Sequence, residues 1–537
     1  MSTDVVSALL RAPGIQPVDW LATAPVLVPA VAALVLLALD AILGTHRAPR
    51  AAPRRAADLL ALAGLLGALA LLVPLAGADR ETFCTASGRC SYVVSPLTLV
   101  LQVLVLGAAL VCLLLAQGQR DRLPRTELQV LLLTATAGAC ALAGARDYAT
   151  LAVALETVSL PAVGLVALQR DSRAAEAGLK LLMTSVLSFS LLALGVALIY
   201  ASTGSLYLGA SPSSALGDLR AVQGVGLALV VAGAAFKVSL VPFHLWTPET
   251  YAGASVPVAA FLATVSKVAG VSAIVLVLAL GAPARAAGWA APVGVLAVLT
   301  MSVGNLLALR QRTAVRLLAW STVAQAGWVL LPLAGSADGQ VAAAVSASLG
   351  YLLAYVAASL TAFAAVVWVG ERHPDGARHG LDAYTGLWRR QPALTLVLGF
   401  ALFALAGLPP GLLGVVAKVV AIVPVVAVQG WGLVAVAVVN VVLGVAVYLR
   451  WAARLVARNE PASLPAAPGA SLAVTPGASL VVTPGASLAV TPGAPASRAG
   501  RTPLAHRLAL ALAGGACLAL SVLPQAIAGA LGLPTLR

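Results

Sequence analysis

The chain holds four lysines against 29 arginines, and all four, Lys180, Lys237, Lys267 and Lys418, lie in or at the edge of apolar stretches. Arginine keeps its proton under essentially all conditions, whereas a lysine in a low-dielectric setting is able to gain and lose one. A lysine at the centre of a membrane helix costs about 2.5–3.5 kcal/mol on insertion scales, which makes each a candidate functional position. A compositional preference for arginine accounts for the scarcity of lysine and leaves its placement unexplained. The chemistry that these residue types support is proton transfer inside a membrane.

The stretch VAGAAFKVSLVPFHLWTPETYAGASVPVAAFLATVSK, residues 231–267, concentrates that chemistry. It opens as an apolar helix, carries Lys237, breaks at Pro242 beside His244 and resumes as a helix bearing Lys267. A proline removes a backbone N–H and clashes with the preceding turn, and the freed carbonyls need a buried or water-lined place. A broken helix beside ionisable groups is the expected form of an ion path. Glu156, within LAVALETVSLPAVGLVAL, is the candidate partner of Lys237. Either the two exchange protons or they form a static buried pair. Lys180 follows Glu176 by four residues on one helix face, so a local ion pair stands beside a relay role. His244 titrates near neutrality and is placed either to pass protons between Lys237 and Lys267 or to cap the broken helix. Asp40, near the end of the first apolar run, is taken as structural.

Apolar runs of about twenty residues predict fourteen membrane spans, at 24–44, 57–76, 97–117, 126–143, 147–169, 174–202, 221–245, 251–281, 287–308, 313–334, 340–370, 391–427, 430–456 and 505–531. The twelfth is interrupted at Pro409-Pro410, with Lys418 eight residues beyond. With the N-terminus outside, alternate loops place 22 arginines inside and seven outside, so both termini are expected to face out. Cys84 and Cys90, in ETFCTASGRCSY, then fall in an outer loop and are expected to form a disulfide.

Over 537 residues the chain is 61% hydrophobic and 10% charged, with mean hydropathy +0.99, which excludes a soluble domain. The net charge of +14 is carried by arginines in short loops and so reports topology, not nucleic-acid binding. Cysteine spacing offers no zinc or iron–sulfur pattern, and neither a P-loop nor a GxGxxG after a strand is present. No metal site and no bound cofactor are expected in this chain.

The chain resembles the antiporter-like membrane subunits of bacterial proton-pumping NADH:quinone oxidoreductase, respiratory complex I, and among them the N subunits. The resemblance rests on LETVSLP at 155–161, EAGLK at 176–180, ALIYASTGS at 197–205, KVSLVPFHLWTPETYAGA at 237–254, PVAAFLATVSK at 257–267, VRLLAWSTVAQAGW at 315–328, LAGLPPG at 405–411 and VYLR at 447–450. It implies an all-α fold of fourteen transmembrane helices, with spans 4–8 and 9–13 as inverted repeats whose seventh and twelfth helices are broken. The expected divisions are N-terminal helices in 1–125, a first repeat in 126–281, a second in 282–458, a linker in 459–503 and a last helix in 504–537. Family roles fall on Glu156 and Lys237 as a coupled pair, Lys267 as the central relay and Lys418 as the terminal proton site, with Lys180 matching a further family lysine and His244 less certain. NADH, FMN, iron–sulfur clusters and quinone would then be bound by partner subunits. The partners would be other membrane-arm subunits, the lipid bilayer and, indirectly, the quinone pool, in a bacterial inner membrane. The sequence departs from the family in VVAK at 415–418, in LLMTSVLSF after Lys180 and in the extra segment at 459–503. A subunit of an Mrp-type cation/proton antiporter is the alternative.

That extra segment repeats an eight-residue unit, ASLAVTPG, about three times. A proline and a glycine in every unit prevent a helix long enough to span, so a cytoplasmic linker is expected. Deleting the repeats within 466–494 is therefore expected to leave assembly and proton pumping nearly unchanged. Loss of the assembled complex, followed by native gel electrophoresis of membranes, would overturn the linker reading.

Overall fold

The computed structural model describes residues 18–523 apart from 44–50, 78, 87, 119–123, 212–218, 338, 372–379 and 459–502. The repeat segment and both chain ends therefore lie outside the described residues. Almost everything described is helix: α1 (Trp20–Leu43), α2 (Ala51–Ala70), α3 (Pro96–Gln117), α4 (Arg125–Gly144), α5 (Tyr148–Ala167) and α6 (Ser172–Thr203) come first. They are followed by α7 (Arg220–Val238), α8 (Trp246–Gly253), α9 (Val256–Ala263), α10 (Val265–Val275), α11 (Ala286–Ala308) and α12 (Ala314–Leu330). The last are α13 (Val341–Gly370), α14 (Pro392–Ala406), α15 (Leu412–Ala427), α16 (Trp431–Val456) and α17 (Leu504–Val522). Twelve spans are long and apolar enough to cross a membrane, and α2, α14 and α15 are shorter apolar helices. This is a multi-pass membrane protein.

Helix starts follow local chemistry. Asp147 and Asp171 accept hydrogen bonds from the N–H groups of Thr150 and Ala174, both at 2.7 Å, and so satisfy donors that the first turns of α5 and α6 leave open. Ser95 caps α3 ahead of Pro96, which needs no donor at that position. The α6 helix ends at Gly204, where φ is +66°.

The breaks differ from the expectation in detail. α7 stops at Val238, with Ser239 at φ 64°, and Pro242 has no N–H to give the Val238 carbonyl four residues before it, so the helix does not continue through it. The chain then turns through His244 and resumes as α8, so residues 246–253 form the second half of that broken span, and the following span starts at Val256, not 251. That following span is itself interrupted at Thr264, which no proline announces. The α14–α15 break falls where LPPG predicts it, with Gly407 at φ 77°.

Hydrogen bonds sort the loops into two ends of the bundle. At one end a hairpin of β1 (Arg80–Cys84) and β2 (Cys90–Val94) is antiparallel and carries the expected Cys84–Cys90 disulfide. Tyr92 bridges to Ala145 and Asp147 to Tyr207, and Arg285 donates to the Arg220 carbonyl. Asp19, before α1, pairs with Arg80 at 2.8 Å, and the guanidinium holds its carboxyl below the usual value. That tie is in place above the ordinary carboxylate range and is lost as pH falls through the lowered value. At the other end Thr313 bridges to Gly380, Arg450 donates to the Leu309 and Gln311 carbonyls, and His506 lies 2.9 Å from the Leu115 carbonyl. Arg125, Arg170, Arg312, Arg316, Arg389, Arg390 and Arg454 also belong to this arginine-rich end.

The arginine-rich end also holds a clasp of α2, α3 and α4. Asp58 accepts from Arg125 at 2.8 Å and from Gln129 at 2.7 Å, with both members of the ion pair mostly buried. Removing one partner leaves a buried charge without its counter-ion. Asp58→Ala is expected to destabilise the folded subunit by about 3 kcal/mol, seen as a lower thermal midpoint in detergent, while Asp58→Asn loses less because it keeps an acceptor for Arg125.

Candidate functional site

Three of the four lysines lie in the interior. Lys237, in the last turn of α7, is 4% exposed, Lys267 on α10 is 2% and Lys418 on α15 is 5%. Each ammonium group has a hydrogen-bond acceptor. Lys237 Nζ donates to Ser159 Oγ on α5 at 3.0 Å. Lys267 Nζ donates to the carbonyl of Val238, the last residue of α7, and lies 5.9 Å from the Trp246 ring centre. Lys418 Nζ donates at 2.5 Å to the carbonyl of Ala406, the last residue of α14, and lies 5.4 Å from the Trp328 ring centre.

Lys267 and Lys418 thus occupy the same chemical position in the two halves of the chain. A helix that stops inside a membrane leaves carbonyls without partners and carries the negative end of its dipole there. A lysine ammonium supplies the missing donor and the opposite charge, and an indole face adds cation–π attraction. Glycines admit these approaches. A Cβ at Gly407 would sit 2.7 Å from Lys418 Cδ, and one at Gly270 would sit 3.1 Å from Lys237 Cβ and 2.8 Å from Val238 Cγ2.

Glu156 is half-buried on α5, one turn before Ser159, and close enough for its charge to act on Lys237. It is not the direct partner that the sequence suggested, since the hydrogen bond of Lys237 goes to Ser159. His244 is 7% exposed in the α7–α8 turn, its ring 5.5 Å from Trp320, with Nδ1 buried and unpartnered. Lys180 is not brought into the interior. It pairs with Glu176 at 2.6 Å with both side chains about half exposed, which is the local ion pair that their spacing allows.

Two adjacent groups of hydroxyl and amide side chains lie between the Thr264 break and the α14–α15 break. Tyr355 on α13 donates to the Ala263 carbonyl at 2.6 Å and to Thr322 at 3.2 Å. One turn away, Tyr351 donates to Gln325 Oε1 at 2.5 Å. Gln325 Nε2 donates to the Leu405 carbonyl at 3.2 Å and to the Tyr448 hydroxyl at 2.9 Å, and Tyr448 meets Ser321 at 2.6 Å. All six side chains are buried. Ser159, Thr322, Gln325, Tyr351, Tyr355 and Tyr448 were not among the sequence candidates. The available signal was a polar side chain inside an apolar helix, which is common and says nothing about what it meets. Among the described residues the only group of three candidate metal ligands is Glu81 with Cys84 and Cys90, and the two thiols are joined as the disulfide.

Comparison with known proteins follows this geometry. A family model described as NADH:quinone oxidoreductase/Mrp antiporter, TM, matches residues 145–444. The chain belongs to this family of antiporter-like membrane subunits. Within it the resemblance is to the N subunits: NADH-quinone oxidoreductase subunit N 2 of Streptomyces griseus subsp. griseus is 44% identical over 464 residues, covering 83% of this chain and 84% of that one. The subunit N of Salinispora tropica is 41% identical over 472 residues, covering 84% and 88%. Among solved structures, a chain of respiratory complex I from Thermus thermophilus with bound aureothin matches at TM-score 0.71 and 30% identity, covering 95% of this chain and 99% of that one. A chain of the Mrp complex from Dietzia sp. DQ12-45-1b, at TM-score 0.76 and 24% identity over 96% of each, shares the fold.

Because Ser159 is, among the described residues, the side chain bonded to the Lys237 ammonium, Ser159→Ala is expected to slow proton pumping severalfold while the subunit still assembles. Ser159→Thr, which keeps the hydroxyl, is expected to retain most of the rate. Proton uptake by vesicles carrying the assembled complex, normalised to subunit content, measures both.

Proposed function

We propose that this chain is a proton-translocating membrane-arm subunit of a NADH:quinone oxidoreductase. The observation that carries the reading is the row of buried lysines, two of them bonded to the carbonyl end of a broken helix. The ammonium form is held there by a carbonyl, a dipole end and an indole. The neutral amine loses those attractions but no longer carries a charge in a low-dielectric place, so both forms are accessible. Lys267 bonds the carbonyl of Val238, the residue after Lys237, so the two lysines meet the same helix end.

On this reading a proton enters by way of Glu156 and Ser159 to Lys237, crosses to Lys267 through water or His244, and reaches Lys418 along Tyr355, Thr322, Tyr351, Gln325 and Tyr448. Lys180 serves only at the surface of this subunit. The fourteen spans are completed by α2 and by α14 with α15 as one broken helix, and helices 4–8 and 9–13 form the two inverted repeats. The chain divides as N-terminal helices, 1–125; first repeat, 126–281; second repeat, 282–458; linker, 459–503; and final helix. The arginine-rich end faces the cytoplasm of a bacterial inner membrane, with both termini outside. NADH, FMN, iron–sulfur clusters and quinone are handled by partner subunits, and no electron passes through this chain. The Mrp reading is less favoured because the relatives at 41–44% identity over most of the chain are complex I subunits, whereas the Mrp match supports the fold alone.

Lys237→Arg decides between relay and static pair. Arginine keeps the charge and does not release its proton at this pH, so pumping coupled to quinone reduction is expected to fall by about tenfold or more. A static ion pair tolerates the exchange, and near-normal pumping by a fully assembled Lys237→Arg complex would sink the relay.

A further inference from the structure

Two apolar grooves open on the outer surface of the bundle, and each follows the first half of a broken span. One, of about 330 Å³, lies between α7 and α11 and reaches Phe243 in the first break. The other, of about 570 Å³, lies between α14, α16 and α17 and reaches Pro410 in the second. Their mouths are at opposite ends of the bundle. The first opens at Arg285 and Trp289 on the hairpin end, where Arg285 Nη1 lies 3.8 Å from the Cβ position of Gly224. The second opens at Trp388 beside the exposed Arg389, on the arginine-rich end.

The dimensions select an occupant. The α7 wall runs from Gly224 to Ala235, about 17 Å at 1.5 Å per residue. This is close to half of a hydrocarbon layer of about 30 Å. A partner's spanning helix would need a groove running the full thickness, and these stop at the breaks. An acyl chain from one leaflet has the required length and apolar character. The partly exposed Arg285 at the first mouth and the exposed Trp388 and Arg389 at the second are of the residue types that sit at the headgroup level, and a guanidinium binds phosphate through two parallel N–H donors.

We propose that the two grooves are phospholipid sites, one for each leaflet. An acyl chain of an anionic phospholipid lies along the first half of each broken span, with its phosphate on Arg285 in one groove and on Arg389 in the other. The tails cover the lipid side of the breaks and keep water from reaching the lysine-bonded carbonyls by any route except the interior.

Native mass spectrometry of the purified complex, with phosphatidylglycerol as the probe, tests this. Ala228→Phe fills the first groove and Gly514→Phe the second, and each is expected to remove one tightly held phosphatidylglycerol. Arg285→Gln and Arg389→Gln are expected to lower retention of phosphatidylglycerol severalfold relative to phosphatidylcholine. An unchanged lipid count in both Phe variants overturns the proposal, as does a helix of a partner subunit seated in either groove. Should the Phe variants not assemble, phosphatidylglycerol with a diazirine in its tail, exchanged into the unaltered complex, is expected to label α7 or α11 and α14 or α17. Labelling confined to other helices overturns it equally.

Discussion

An ammonium group placed in a low-dielectric interior needs a fixed acceptor, and a helix ending in that interior needs a donor. In this protein each need meets the other. Lys267 donates to Val238 and Lys418 to Ala406, the terminal residues of α7 and α14. Each part needs the other: an unbroken helix would leave the lysine without a free carbonyl, and a broken helix without the lysine would leave its final carbonyl without this donor. Much of the architecture exists to keep these contacts in place. α9 and α10 are buried throughout, and Gly270 and Gly407 let backbone and lysine approach to distances at which any other residue would collide.

The same economy explains the polar string across α12, α13 and α16. Tyr, Thr, Ser and Gln side chains are costly in an apolar core unless each is bonded, and here they bond to one another and to carbonyls at the Thr264 and α14–α15 breaks. Hydroxyls both donate and accept, so such a string is able to reverse its polarity as a proton passes. The amide of Gln325 does not relay a proton as readily, and its three bonds suit it to holding Tyr351 and Tyr448 in register. A bundle clasped at one end by Asp58, Arg125 and Arg450 and closed at the other by the disulfide hairpin holds Lys237, Lys267 and Lys418 in its interior.

Lys180 shows how place decides role. Its residue type matches the other three lysines, and it stands in a comparable apolar helix. Its face of α6 points outward and Glu176 lies one turn away, so surface pairing takes the place of burial. Glu156 is the converse case. A carboxylate and a lysine in apolar spans suggest a direct pair, and the ammonium instead donates to Ser159, one turn beyond Glu156 on α5.

Membrane embedding, the positions of most helices, the two proline breaks and the candidate lysines were all legible in the sequence. Hydropathy, the penalty on intramembrane charge and the proline ring are local properties that act wherever they stand in the chain. The Cys84–Cys90 link was legible too, because six positions of separation bring two cysteines within reach across a hairpin. What tertiary structure decided is which carbonyl each ammonium meets, that Ser159 and not Glu156 holds Lys237, that Lys180 faces outward, and that Thr264 interrupts a helix with no breaker in its sequence. These depend on residues between 12 and 92 positions apart being packed together. A one-dimensional pattern records the face of a helix but not its neighbour, and a hydrogen-bond partner is a property of the neighbour.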